Sequence, residues 1–111
     1  MEIDQRTVVD EALIQDVTQR IMENFHPKNI ILFGSHARGD AGADSDLDLI
    51  VVMNSEKPFV ERNLAVRRLF GLRHWSMDLV VYTPEEFERG LHTIGHLPSM
   101  IAREMRVLYG S

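Results

Sequence analysis

Apolar residues recur early in the chain at the spacing of an amphipathic helix. Within Thr7 to Phe25, these positions stand four residues apart: Val9, Leu13, Val17 and Ile21. Such spacing places the side chains on one face of a helix. Pro27 lacks the amide donor that a helix interior requires, so it predicts the end of this helix. The run from Asn29 to Phe33 is short and wholly apolar, which is typical of a buried central strand.

The rest of the chain alternates between strand and helix patterns. The predicted elements are a strand at Asp46 to Met53, a helix at Phe59 to Leu72, a strand at Trp75 to Tyr82, a short helix ending near Gly90, a helical turn at Ile101 to Met105 and an edge strand at Arg106 to Tyr109. The helix before Gly90 has a clear start, because Thr83 suits an N-cap and Glu86 closes a capping box. This order predicts an α/β or α+β fold, a small mixed sheet flanked by helices.

Length and composition narrow the class of protein. The 111 residues and their ordinary apolar fraction predict one domain spanning 1–111. No apolar run approaches the roughly 20 residues that cross a bilayer, and the N-terminus is not signal-like, so we expect a cytoplasmic protein with no membrane partner. The chain has no cysteines, which excludes disulfides and thiolate sites. A net charge of −5 argues against direct nucleic-acid binding and favours a small nucleotide with a protein partner.

Three aspartates are the strongest candidates for chemistry. Asp46 and Asp48 alternate with Leu47 in a predicted strand, so they share a face with α-carbons about 7 Å apart. Asp78 lies in an otherwise apolar strand, where an unsatisfied carboxylate is costly. If the two strands are neighbours, the three carboxylates converge and need protons or cations to relieve their repulsion. Mg²⁺ is the expected ion, because it prefers oxygen ligands and is commonly held together with substrate phosphates.

The turn between the first two strands has the properties of a phosphate site. Gly34 allows close approach of a ligand, and Ser35 is predicted to cap a short helix that runs through Arg38. The Ser35 hydroxyl and nearby amides can bind phosphate, and Arg38 can add a charge-assisted contact. The segment from Gly39 to Ser45 is rich in glycine and aspartate and is predicted to be a loop.

These motifs together resemble a known family. They are Gly34-Ser35, ten intervening residues, Asp46-Leu47-Asp48 and the later Met77-Asp78-Leu79. This arrangement resembles the polymerase-beta-type nucleotidyltransferase superfamily. The residues around the Gly-Ser and Asp-Leu-Asp motifs resemble those of its minimal nucleotidyltransferases, the MntA-like proteins. The resemblance covers roughly Asn29 to Tyr82. Relatives often carry arginine where His36 stands, and a neutral histidine would weaken the contact with phosphate.

The resemblance implies a fold, a reaction and a partner. Asp46 and Asp48 would bind two catalytic Mg²⁺ ions, Asp78 would complete the second site and take the proton of the acceptor hydroxyl, and Gly34 and Ser35 would hold the triphosphate. The implied reaction transfers AMP from ATP to a hydroxyl, in toxin-linked members a tyrosine of a HEPN-domain toxin. The chain would then be an antitoxin that silences a ribonuclease by adenylylation.

Each motif taken alone also has a plainer interpretation. Gly34-Ser35 could be an ordinary turn, the Asp46 and Asp48 pair could be a solvated strand face or a weak calcium contact, and Asp78 could be a strand-edge charge or a partner of Arg73. Two other functions stay open: a non-catalytic antitoxin that binds its toxin, and a small-molecule nucleotidyltransferase acting on an aminoglycoside-like hydroxyl.

Overall fold

A four-stranded sheet is the centre of the fold, which we describe from a computed structural model covering residues 3–42 and 44–110. The elements are α1 (Glu11–Phe25), β1 (Asn29–Phe33), α2 (Ser35–Arg38), β2 (Leu47–Val52), α3 (Phe59–Arg67), β3 (Met77–Tyr82), α4 (Pro84–Leu91), α5 (Leu97–Ile101) and β4 (Arg106–Tyr109). Short 3₁₀ turns stand at Ile3–Gln5 and Arg68–Phe70. The predicted domain 1–111 also contains residues 1, 2, 43 and 111, which lie outside the described residues.

The sheet is mixed, as the sequence predicted. Its strand order is β3-β2-β1-β4. The first strand, β1, pairs antiparallel with both β2 and β4, whereas β2 and β3 run parallel. Helices cover both faces, so the predicted class, a small mixed sheet flanked by helices, is confirmed.

The wholly apolar β1 is buried on both faces. Ile30 and Leu32 pack with the apolar face of α1 in the larger core cluster. Ile31 and Phe33 lie in the second cluster, with Ile101 of α5. A strand with helices on both sides has no solvated face, which explains why β1 lacks alternation.

The third helix runs beside β3, which is an edge strand of the sheet. The Asn63 side chain accepts a hydrogen bond from the Val81 amide at 3.0 Å. Arg67 donates to the Leu79 carbonyl at 2.7 Å. These side chains satisfy backbone groups that an edge strand otherwise leaves open. Helix α3 thereby holds β3, the strand that carries Asp78.

Several predicted boundaries are wrong for local reasons. Helix α1 begins at Glu11 rather than Thr7, because the Asp10 carboxylate accepts the Leu13 amide at 2.8 Å and caps the helix there. The helix that starts at Phe59 ends at Arg67 and tightens into the 3₁₀ turn Arg68–Phe70. Sequence patterning gives the element but not its end, since tertiary contacts decide the last turn.

The C-terminal quarter confirms two local predictions and adds a helix that was not predicted. The capping box of Thr83 and Glu86 at the start of α4 forms as predicted. The predicted helical turn at Ile101 to Met105 forms, because the Ile101 carbonyl accepts from the amides of Glu104 at 3.0 Å and Met105 at 2.9 Å. It continues from a helix that the sequence pattern did not predict, Leu97–Ile101. Pro98 lies in its first turn, where a missing amide donor costs nothing. No helix among the described residues is long and apolar enough to cross a membrane.

Candidate active site

Asp48 and Asp78 are register partners on the parallel strands β2 and β3. Partners on adjacent strands point to the same side of a sheet, with strands about 4.8 Å apart. The flanking Leu47 and Leu49 point into the core and are fully buried. The two strands are thus neighbours, the condition that the sequence analysis set, and their pairing brings Asp48 and Asp78 together at one end of the sheet.

The electrostatics of Asp48 reflect this crowding. Its half-buried position, and then the negative charges of Asp78 and Asp46, raise the pKa of Asp48 to about 6. His36 and Arg38 act in the opposite direction but do not cancel the effect. A cation beside Asp48 would therefore stabilise its ionised form, which burial and the neighbouring carboxylates disfavour.

Asp46 and Asp78 differ in detail from their predicted settings. Asp46 lies one residue before β2, which begins at Leu47, and it is exposed. The cost expected for an unsatisfied Asp78 in an apolar strand is small, because 61% of its side chain is exposed. Its ion-pair partner is Arg67 at 4.0 Å rather than Arg73. Asp78 stands near the start of an edge strand, where water reaches it.

Gly34 lies directly against Asp48. The preceding residue, Phe33, pairs with Asp48 in the β1–β2 register. Gly34 has φ 74° and ψ −157°, a conformation that side chains disfavour. A Cβ at this position would overlap the Asp48 carboxylate and stand 3.0 Å from its Cγ. The turn therefore requires glycine so that its backbone can reach the carboxylates.

The short helix α2 starts differently from the prediction. Its N-cap is Gly34, and Ser35 is its first residue, so the predicted capping role of Ser35 is wrong. The Gly34 carbonyl accepts from the amides of Ala37 and Arg38, each at 3.1 Å. This tight turn places Ser35 one residue from the glycine that contacts Asp48.

Glu104 is the site residue that the sequence did not indicate. Its Oε2 accepts the Gly34 amide at 2.7 Å and Arg38 Nη1 at 3.0 Å. Arg38 Nε also donates to Asp40 Oδ2 at 3.2 Å. Glu104 lies about 70 residues further along the chain, so no local spacing links it to the turn. One carboxylate thus fastens the glycine turn and the arginine that follows it.

His36 joins the turn to the loop that carries the aspartates. Its Nε2 lies 3.4 Å from the Ser45 carbonyl oxygen, next to Asp46 in the chain. His36 is also close enough to lower the pKa of Asp48. A histidine here bridges the glycine turn and the start of β2.

The donor set fits a hard cation shared with a ligand. Three carboxylates, one of them with a raised pKa, offer oxygen donors and excess negative charge. Within residues 3–42 and 44–110, no group of three or more histidine, aspartate or glutamate side chains is arranged so that it could hold a metal ion. Asp48 and Asp78 would supply at most two ligands from neighbouring strands, and Mg²⁺ is commonly held by one or two carboxylates together with substrate phosphates.

Comparison with protein families gives a match over most of the chain. Residues 14–108 match the nucleotidyltransferase domain. Protein adenylyltransferase MntA of Thermococcus cleftensis is 34% identical over 74 residues, which cover 64% of this chain and 72% of MntA.

Solved structures share the fold. A candidate nucleotidyltransferase from Sulfolobus solfataricus has a TM-score of 0.64 at 22% identity, covering 89% of this chain and 78% of that one. A candidate minimal nucleotidyltransferase has a TM-score of 0.51 at 30% identity, covering 86% and 88%. A toxin–antitoxin structure with AMP-PNP has a TM-score of 0.55 at 18% identity, covering 87% and 73%. The first and third likenesses concern the fold alone.

Proposed function

Because the chain belongs to the nucleotidyltransferase domain family, we propose that it transfers AMP from ATP to a hydroxyl of a partner protein. One observation carries this proposal. The Gly34 turn stands against Asp48, and Asp48 is the register partner of Asp78. The glycine turn and a pair of carboxylates thus meet at one end of the sheet. The similarity to a protein adenylyltransferase supports a protein acceptor.

Each site residue has a role in this reaction. The glycine turn, Gly34 and Ser35, holds the triphosphate, and Arg38 adds positive charge beside it. Asp46 and Asp48 would hold two Mg²⁺ ions, and Asp78 would complete the second site. When bound, Mg²⁺ supplies positive charge that offsets the charge of the phosphates and of the leaving pyrophosphate.

The transfer is a displacement at the α-phosphorus of ATP. The acceptor oxygen forms a bond to this phosphorus as the bond to the oxygen between the α- and β-phosphates breaks. Pyrophosphate leaves with that electron pair, and Asp78 takes the acceptor's proton. The products are an AMP ester of the acceptor and pyrophosphate. Positioning and charge stabilisation account for most catalysis of this kind.

The partner we propose is a HEPN-type toxin, and the acceptor is a tyrosine of that toxin. The support is the motif resemblance from Gly34-Ser35 to Met77-Asp78-Leu79, together with the MntA similarity. Adenylylation would silence the toxin, so the chain would act as a cytoplasmic antitoxin.

The test uses purified protein, Mg²⁺ and ATP labelled in its AMP portion, with the co-expressed product of the neighbouring reading frame as acceptor. We expect label on the partner, and none with Asp46→Ala or Asp48→Ala. Asp44→Ala, which removes an exposed carboxylate of the same loop, is the control and should retain labelling. Persistent labelling by both site variants would rule out the mechanism. If the variants that fail to label the partner still protect cells, the result would favour an antitoxin that acts by binding alone.

A further inference from the structure

A surface pocket of about 500 Å³ adjoins Asp46. Its other wall is formed by the segment between α3 and β3, including Leu72, Arg73 and Ser76, and by Met77 at the start of β3. The Leu47 amide donates to the Ser76 carbonyl at 2.9 Å, which fixes this wall beside the start of β2. Neither Gly34 nor Ser35 lines the pocket. Of the three candidate aspartates, Asp46 lines it, and its wall is next to β3 whereas the glycine turn follows β1, with β2 between them in the sheet.

The strand order gives the site a direction. The central strands lie in the order β1, β2, β3, so the glycine turn after β1, Asp48 on β2 and Asp78 on β3 follow one another across the sheet. In an in-line displacement the attacking and leaving oxygens lie on opposite sides of phosphorus. If the turn holds the triphosphate on the β1 side, the acceptor oxygen approaches from the β3 side. Ser76 and Met77 immediately precede Asp78 there.

We propose that this pocket is the acceptor subsite, and that it receives a hydroxyl-bearing aromatic side chain of a partner protein. This inference rests on the proposed function. It adds where the acceptor binds and which residues recognise it, and it assigns the nucleoside of ATP to a different place.

The chemistry of the rim suits a protein side chain with an aromatic ring. The Leu72 side chain is 93% exposed, which leaves an apolar contact free at the mouth. The Arg73 guanidinium lies over the Trp75 ring, 5.4 Å from its centroid. Arg73 Nη1 donates to the Phe70 and Gly71 carbonyls, which holds the guanidinium in place, so its planar face is the surface offered to an aromatic ring. A volume of about 500 Å³ also leaves room for residues that flank the acceptor.

The absence of cysteine from the chain allows a direct test of which ligand enters the pocket. Single-cysteine variants Ser76→Cys in the pocket, Ser35→Cys in the glycine turn and Ser55→Cys beyond the opposite end of β2 are treated with N-ethylmaleimide, with and without saturating Mg²⁺ and AMP-PNP. We expect the nucleotide to slow modification of Ser35→Cys by about tenfold or more, and that of the other two by less than about twofold.

Each outcome decides a different statement. Protection of Ser76→Cys comparable to that of Ser35→Cys would mean that the nucleoside fills the pocket, and it would overturn the acceptor assignment. Lack of protection at Ser35→Cys would overturn the phosphate role of the turn. That result contradicts the proposed function itself and removes the premise of this inference.

A kinetic arm tests recognition with the partner labelled in the previous experiment. Leu72→Asp should raise the KM for the partner by about tenfold and leave AMP-PNP affinity within about twofold. Ile94→Asp is the matched control, because Ile94 is equally exposed at 99% but lies between α4 and α5. An unchanged KM in Leu72→Asp, or a loss confined to nucleotide affinity, would overturn the proposal.

Discussion

Gly34 and Asp48 are in contact, although the short helix α2 and the loop before β2 separate them in the chain. Phe33 pairs with Asp48 across β1 and β2, and the chain then bends so that Gly34 lies against the carboxylate. The bend has positive φ, and the contact leaves no space for a Cβ. Backbone conformation and the carboxylate's position therefore both demand glycine.

Gly34→Ala should destabilise the protein more than a substitution that adds strain alone. We expect a loss of about 3 kcal/mol in the free energy of unfolding, combining positive-φ strain with overlap at Asp48. Gly39→Ala is the matched control, since Gly39 has φ 83° with nothing within 4 Å of an added Cβ. It should lose only about 1 kcal/mol. Urea unfolding followed by circular dichroism measures both, and equal losses would contradict the contact.

Asp48→Asn should make the metal-free protein more stable at neutral pH. The folded pKa of about 6 exceeds the ordinary value of 3.8, so folding disfavours the ionised carboxylate. Below about pH 4 the carboxyl group is neutral in both states and does not destabilise the fold. As the pH rises from about 4 to about 6, the free energy of unfolding falls, and above that it stays at the lower value. Removing the charge should raise the Tm by a few degrees at pH 7.5 in EDTA and leave it nearly unchanged at pH 4.

Mg²⁺ provides the second half of this test. It should raise the Tm of the native protein at pH 7.5 and have a smaller effect on Asp48→Asn, because the ion relieves the repulsion that the substitution removes. Glu56→Gln, at an exposed turn, should respond to pH and Mg²⁺ as the native protein does. An Asp48→Asn variant no more stable than the native protein at pH 7.5 would contradict the crowding of carboxylates.

Local rules were sufficient to predict which face of β2 carries Asp48. Alternation in the strand puts Leu47 in the core, where it is fully buried, and Asp48 on the opposite face, whereas Asp46 lies one residue before the strand. The capping box of Thr83 and Glu86 was also predictable, because all its atoms lie within one helical turn. Strand alternation and helix capping depend on neighbours in sequence, so they can be inferred without the fold.

Long-range contacts were not predictable in the same way. Asp78 pairs with Arg67 because α3 lies along the β3 edge, and nothing in the spacing of Arg73 excluded it as the partner. Glu104 lies close to the glycine turn because β4, which follows Glu104 in the chain, pairs with β1. Both contacts depend on how elements pack, which patterning does not specify.

Asn63→Ala should destabilise the edge strand. It removes the acceptor for the Val81 amide, and Val81 is fully buried, so the loss should be about 1–3 kcal/mol. Asn24→Ala is the control: the Asn63 and Asn24 side chains each donate to the carbonyl four residues earlier, but Asn24 is exposed. Its loss should stay below about 0.5 kcal/mol. Faster hydrogen exchange of the Val81 amide would locate the effect, and an unchanged rate would contradict it.

Glu104→Ala should weaken nucleotide binding from outside the carboxylate cluster. The substitution leaves the Gly34 amide and one Arg38 nitrogen without their shared acceptor, which should cost about 1–3 kcal/mol of stability. The turn and Arg38 would then lose their fixed positions, and AMP-PNP affinity should fall by about tenfold. Glu104→Gln keeps an oxygen acceptor and should retain most of the affinity. Glu88→Ala, which removes an exposed carboxylate paired with His92, should have no effect. Isothermal titration measures the affinities, and native affinity in Glu104→Ala would mean that the glycine turn holds its shape without this carboxylate.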